Sequence, residues 1–230
     1  MSGEFMKSEC TDCASLQQDN AALQARIDVL EQQIRRDAKT GLLNHAGTQE
    51  ELGRRIALAE LDPSIAPGVI VADLDNFKQI NDTRGHLYGD TILQNVAHVI
   101  RNITRPKDTL GHTIIGGRPG GDEFVLIVDL APSHSATSSP EQSLATIQYR
   151  LFTNVNNLFR QENLPDSIGI SLGGAIWEKD MSIEQLLDAA DKDMYLNKTR
   201  QKNLKQVSPG QRYTETLSLT IGRNLCHPPA

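Results

Sequence analysis

Two acidic segments hold the residues best able to do chemistry. The run Arg118-Pro119-Gly120-Gly121-Asp122-Glu123-Phe124 lies between the apolar stretches Thr113-Ile114-Ile115 and Val125-Leu126-Ile127-Val128. That pattern predicts a β-hairpin with glycines and carboxylates at its turn. Each glycine costs backbone entropy, and adjacent carboxylates repel. The turn suits a backbone that must approach a ligand and acids that must hold a cation; an ordinary turn with solvated acids fits this window equally well. Upstream, Val69-Ile70-Val71-Ala72 is a continuous apolar run, as in a strand covered on both faces. Asp73 ends the run, at the edge where open sheets place ligands. Alone, Asp73 reads as a helix N-cap or a surface acid. Beside Asp122 and Glu123 it would be electrostatically unfavourable unless a divalent ion lay among them.

Elements on either side must position these groups. A helix is expected from about Gly47 to Glu60, then the loop Asp62-Pro63-Ser64-Ile65-Ala66-Pro67-Gly68 before the Asp73 strand. Leu93, Val96, Ala97, Ile100 and Ile103 recur at helical spacing ahead of the hairpin. Residues 131–141 read as a mobile polar loop. A helix from about Glu141 to Glu162 leads into a strand from Ser167 to Trp177. Ser182 and Gln185 form a capping box for a last helix, whose Ile183, Leu186, Leu187, Ala190 and Met194 share one face.

Residues 13–36 carry heptads. Leu16, Leu23 and Leu30 fall at d positions; Cys13, Asn20, Ile27 and Ile34 fall at a positions. One Asn at a with Leu at d favours a parallel two-stranded coiled coil, hence a homodimer. A single amphipathic helix packed on its own domain is the alternative. Residues 1–12 read as a tag or disordered leader, and 207–230 as a partly disordered tail without clear period.

Composition narrows the function classes. The chain has 230 residues and a formal net charge of -6, which suits one domain plus an extension and gives no global basic field for nucleic acid. No apolar stretch reaches membrane-spanning length, and no signal-peptide pattern opens the chain. Cys10, Cys13 and Cys226 lie outside the domain, which predicts a cytoplasmic protein without structural disulfides. Cys10 and Cys13 make a C-x-x-C pair, but no second pair or nearby histidine completes a zinc site.

These acidic segments, with Gly85-His86-Leu87-Tyr88-Gly89-Asp90 after them, closely resemble the GGDEF family of diguanylate cyclases. The opening motif stands as Asp37-Ala38-Lys39-Thr40-Gly41-Leu42-Leu43-Asn44 and the closing one as Ala189-Ala190-Asp191-Lys192-Asp193-Met194-Tyr195-Leu196-Asn197-Lys198, with Lys202-Asn203 beyond it. The resemblance covers about Asp37 to Asn203 and implies a GGDEF domain over residues 37–206. The implied fold is α/β (α+β), a central, mainly antiparallel five-stranded sheet flanked by helices, as in nucleotidyl cyclases and polymerase palms. The implied activity condenses two GTP into cyclic di-GMP, one GTP per protomer of a dimer. By resemblance Asp73, Asp122 and the Leu74 carbonyl ligate Mg2+ or Mn2+, Asp122 is the proton acceptor and Glu123 supports the cluster. Gly120 and Gly121 let backbone lie against phosphate, and Lys78, Lys198 and Lys202 are its cationic partners. Asn81 and Asp90 select the base: a carboxylate only accepts hydrogen bonds, which matches the donors on guanine's Watson–Crick edge. Asp90 can also cap the helix that follows it.

The chain departs from the family at four places. Leucine usually stands where Lys39 lies, lining the base pocket, and an aromatic often stands where Asn76 lies. Each lost apolar contact should weaken GTP binding by about 1 kcal/mol. Lys202 replaces an arginine and loses its bidentate fork. Arg105-Pro106-Lys107-Asp108 resembles the product-inhibition motif, with Arg150 as a second arginine, but residues 109–119 separate it from Gly120, a longer spacing than the family has. The pair is either a cyclic di-GMP site or a coincidental surface pair. The alternative to an active cyclase is a catalytically weak or silent module that binds GTP or cyclic di-GMP. If the heptads pair two chains, deleting residues 1–36 should halve the mass seen by light scattering and lower product formation; an unchanged mass would instead support the single packed helix.

Overall fold

The structure, a computed structural model, describes residues 16–27, 34–62, 64–103, 113–130 and 139–204, with 201–204 as backbone alone. The leader, the 207–230 tail, Arg105, Asp108 and residues 131–138 of the expected loop lie outside the described residues. The chain divides into two compact units, Met1–Arg36 and Asp37–Ala230. In the first, residues 16–27 form helix α1, on which Leu16, Leu23 and Ile27 are exposed.

In the second unit the order is α2 (His45–Leu61), β1 (Pro67–Asp75), α3 (Phe77–Arg84), α4 (His86–Ile103), β2 (Ile114–Gly120), β3 (Glu123–Asp129), α5 (Pro140–Gln161), β4 (Gly169–Ile176) and α6 (Ile183–Leu204). The helices form where apolar spacing and caps agree. Asn44 accepts from the Gly47 N–H at 3.0 Å and starts α2 two residues earlier than the periodicity alone suggests. Ser139 and Gln142 make a capping box around the first turn, in which Pro140 stands at the first helical position. The end of the expected polar loop is therefore the first turn of α5. The Ser182–Gln185 box forms at the head of α6, with bonds of 2.8 and 3.2 Å.

The sheet has strand order β2-β3-β1-β4, every adjacent pair antiparallel. Four strands appear among the described residues, not the five expected. At the β2 edge the described residues add an isolated parallel bridge between Leu43 and Gly117. A tight turn over 37–41, with Gly41 at φ +68°, keeps that segment from running extended. β1 also runs past Asp73 to Asp75, pairing Leu74 with Ile170 and Asp75 with Gly169.

Strand alternation divides the core. Ile70, Ala72 and Leu74 join Phe124, Leu126, Ile170 and Leu172 in a cluster with apolar residues of α4 and α5. Val69, Val71, Val125 and Ile127 pack with Leu52 of α2 and with Leu186 and Ala190 of α6. Period two therefore puts Asp73 and Asp75 on the α6 side of the sheet.

Three features of β4 seat α6 there. A Cβ on Gly173 would stand 2.2 Å from the Ala190 carbonyl oxygen and the Met194 nitrogen, so only glycine admits the helix this closely. Strand β4 is an edge, and its outward groups need partners. Asp193 accepts from the Gly174 N–H at 2.9 Å, and Asn197 donates to the Leu172 carbonyl at 3.0 Å. Gly173→Ala should therefore force α6 outward and cost about 3 kcal/mol in urea unfolding. Gly120→Ala, whose Cβ would meet nothing within 4 Å, should cost far less; equal losses would refute this account of the docking.

Candidate active site

Asp73 and Glu123 are direct partners in the β1–β3 register, and the Leu74 N–H bonds the Asp122 carbonyl at 3.3 Å. Carboxylates 73, 122 and 123 are thereby gathered at one end of the sheet. Burial pushes the Asp122 carboxyl up, and the charge of Asp73 adds to it, against the pull of Lys198 and Arg118. Glu123 is raised by desolvation and then by Asp73, Asp191 and Asp122. The cation that answers this crowding is Lys198 of α6, bonded to Asp73 and 3.5 Å from Asp75. Desolvation would lower its ammonium, but Asp73 and Asp75 outweigh that and hold it above the ordinary lysine range. Asp75 is itself fixed by the buried Ser171 hydroxyl, at 2.8 and 3.1 Å to its two oxygens. Among the described residues no three His, Cys, Asp or Glu side chains already stand in ligating geometry; Lys198, not a ring of acids, faces Asp73. The donor set of crowded, partly exposed carboxylate oxygens fits a hard divalent cation.

The turn offers room beside these acids. Gly121 has φ +54° at the first central position of the two-residue hairpin loop, which suits the twist of its strands. A Cβ on either Gly120 or Gly121 would meet no atom within 4 Å. The expected base-side residues gather at the α3–α4 corner. The Asn81 amide oxygen lies 2.0 Å from where a Gly89 Cβ would be, so Gly89 lets Asn81 sit against the residue before Asp90. Asp90 Oδ1 is bound by Lys39 Nζ at 2.5 Å. Asn76, at φ +57° just ahead of α3, donates to the Ser167 carbonyl at 2.7 Å. Lys78 is exposed on α3 and Arg150 is half-buried on α5. The Lys202 side chain, like Arg105 and Asp108, lies outside the described residues.

Sequence reasoning gave no role to Arg118, which holds the turn. Buried to 7 % exposure, it donates to the Gly121 carbonyl at 3.1 and 2.5 Å and to both Asp37 oxygens at 2.9 and 3.0 Å. The spacing of this arginine from an opening-motif aspartate in an acidic chain was the available signal, but it named no pairing. Burial would raise Asp37, yet bonds from Thr40 and Arg118 and the arginine's charge hold its carboxyl below the usual range. A depressed folded value means that this stabilisation is complete above about pH 4 and is lost as pH falls through Asp37's own value. Arg118→Met should lower the unfolding free energy by about 3 kcal/mol at neutral pH. The gap from wild type should shrink below about pH 4; a gap independent of pH would remove the ion pair from the account.

Comparison with known proteins places the chain in a family. The family described as diguanylate cyclase, GGDEF domain, matches residues 34–204. The chain is 35 % identical over 175 residues to the diguanylate cyclase DgcS of Shewanella oneidensis, covering 76 % of this chain and 53 % of that protein. It is 28 % identical to the diguanylate cyclase DosC of Escherichia coli K12, across 76 % of this chain and 35 % of DosC. The chain thus spans about half of the first relative and about a third of the second. Among solved structures, the coiled coil and GGDEF domain of DgcB from Caulobacter crescentus, in complex with c-di-GMP, aligns at TM-score 0.64 and 25 % identity, covering 85 % of this chain and 95 % of that one. The DgcB GGDEF domain alone aligns at 0.58 and 29 % identity, over 73 % and 89 %. With a family match that runs through the acids, the glycine turn and the closing helix, the chain belongs to the GGDEF-domain diguanylate cyclase family.

Proposed function

We propose that this chain condenses two GTP into cyclic di-GMP and two pyrophosphates, as a homodimer presenting one GTP per protomer. The observation that carries the reading is the carboxylate cluster beside an unfilled glycine turn, with Lys198 already drawn to it. Asp73, Asp122 and the Leu74 carbonyl would hold Mg2+ or Mn2+. Such an ion supplies charge neutralisation on the triphosphate and a lower pKa for the attacking 3′-hydroxyl.

The chain's own residues do the rest. Gly120 and Gly121 present bare backbone to the phosphates, and Lys198, with Lys78 and Lys202, offsets their charge. Asp90 and Asn81 orient the guanine. In each of two steps a 3′-oxygen bonds to the α-phosphorus of the facing GTP, the bond to the β-phosphate bridge breaks and pyrophosphate leaves. Asp122 takes the hydroxyl proton, with Glu123 supporting it. Because two sites must face each other, tethering through the heptads of residues 13–36 would raise their effective concentration; the exposed Leu16, Leu23 and Ile27 of α1 support that role. Arg105 and Asp108, with Arg150, would bind the product and inhibit.

Among the described residues no helix is long and apolar enough to cross a membrane. The decisive assay incubates the protein with GTP and Mg2+ and identifies the product by mass spectrometry. Chelation should abolish turnover, and Asp122→Ala should lower it at least about 100-fold. Guanine-nucleotide binding without turnover by the wild-type dimer would overturn the cyclase reading in favour of a silent GTP- or cyclic di-GMP-binding module.

A further inference from the structure

Lys39 stands where loss of a base-pocket leucine was expected to weaken substrate binding, and its surroundings point elsewhere. Its backbone is firmly placed. Gln94 of α4 donates to the Lys39 carbonyl at 3.3 Å, and Arg101 of the same helix bonds the Thr40 carbonyl. Thr40 in turn donates its N–H and hydroxyl to Asp37, at 2.9 and 2.5 Å. From this fixed loop the side chain reaches Asp90 Oδ1 at 2.5 Å, across 51 positions of sequence. The pair is open to a ligand: the Lys39 side chain is 51 % exposed and that of Asp90 34 %.

A carboxylate accepts hydrogen bonds only and an ammonium donates only. Side by side, they form an acceptor next to a donor. Guanine carries the complement, with N1–H and the 2-amino group as donors beside the O6 acceptor. Adenine carries the reverse order, an N1 acceptor beside a 6-amino donor. Against Asp90 and Lys39 it would set donor against donor and lone pair against carboxylate. Leaving such groups unmatched is costly once a bound base covers them, which makes the pair discriminating as well as attractive.

We propose that Lys39 is a specificity-determining residue, whose ammonium donates to guanine O6 while Asp90 accepts from N1–H and the 2-amino group. This rests on the nucleotide site proposed above and adds to it the half of the base edge that a carboxylate cannot read. Two other roles compete. Lys39 could simply strap the loop to α4, or it could occupy Asp90 and keep the base out.

Binding of nucleoside diphosphates separates these roles, since they carry no pyrophosphate leaving group. Affinities for GDP, 6-thio-GDP, inosine diphosphate and ADP are measured by calorimetry with Mg2+ on wild type, Lys39→Met and Lys39→Arg, with melting temperatures alongside. The thio analogue keeps N1–H and the amino group but replaces O6 with a poor acceptor. Wild type should prefer GDP over 6-thio-GDP about tenfold or more. That preference should fall to near unity in Lys39→Met and return in Lys39→Arg. The preference for GDP over inosine diphosphate, which lacks the 2-amino group, should persist in both variants. An unchanged GDP to 6-thio-GDP ratio in Lys39→Met, with only a lower melting temperature, would overturn the proposal in favour of the strap. Tighter GDP binding by Lys39→Met would overturn it in favour of the blocking role. If wild type binds no guanine nucleotide, the proposed function fails and takes this assignment with it; if GDP binds and only the thio ratio is flat, this assignment alone fails.

Discussion

Carboxylates from β1 and from the β2–β3 turn share one end of one sheet face, where their mutual repulsion must be answered by positive charge. The answer within the chain is Lys198, whose ammonium meets Asp73 and stands 3.5 Å from Asp75. Much of the second unit serves that meeting. Gly173 lets α6 lie against β4, and Asp193 and Asn197 bind the open backbone groups of the edge strand. The helix is then held at a depth that delivers Lys198 to the acids. A cluster of carboxylates that needs a cation also presents oxygen donors of the kind that suit a hard divalent ion.

A second network fixes the other side of the same turn. Arg118 binds the Gly121 carbonyl and the Asp37 carboxylate, so one side chain holds the glycine turn to the opening loop. That loop is also bonded by Gln94 and Arg101 of α4, the helix that carries Asp90. The glycine turn and the helix that carries Asp90 are thus tied through a single loop, on which Lys39 is exposed.

How legible was this in the sequence? The apolar run Val69–Ala72, the hairpin around Gly121 and the amphipathic spacing of Leu93 to Ile103 all became elements near their expected bounds. Among the described residues the strand count did not follow: four strands form, and the 37–44 segment turns tightly on Asp37 and adds an isolated bridge at the β2 edge. The extent of β1 was also misjudged. A charged residue looks like a strand end when read alone, yet Asp75 is buried and bonded to Ser171, so pairing with β4 continues through it.

The amino-acid order alone settles what depends on neighbours a few residues away: periods of two and 3.6, the Ser182–Gln185 box, and a turn that only glycine enters easily. It also shows the motif order that marks the family. Tertiary structure decides which charges meet. Lys198 finds Asp73 across 125 positions, Arg118 finds Asp37 across 81, and Lys39 finds Asp90 across 51. Such pairings follow from how helices seat on a sheet, and that seating is the sum of many small packing terms that no short window of sequence contains.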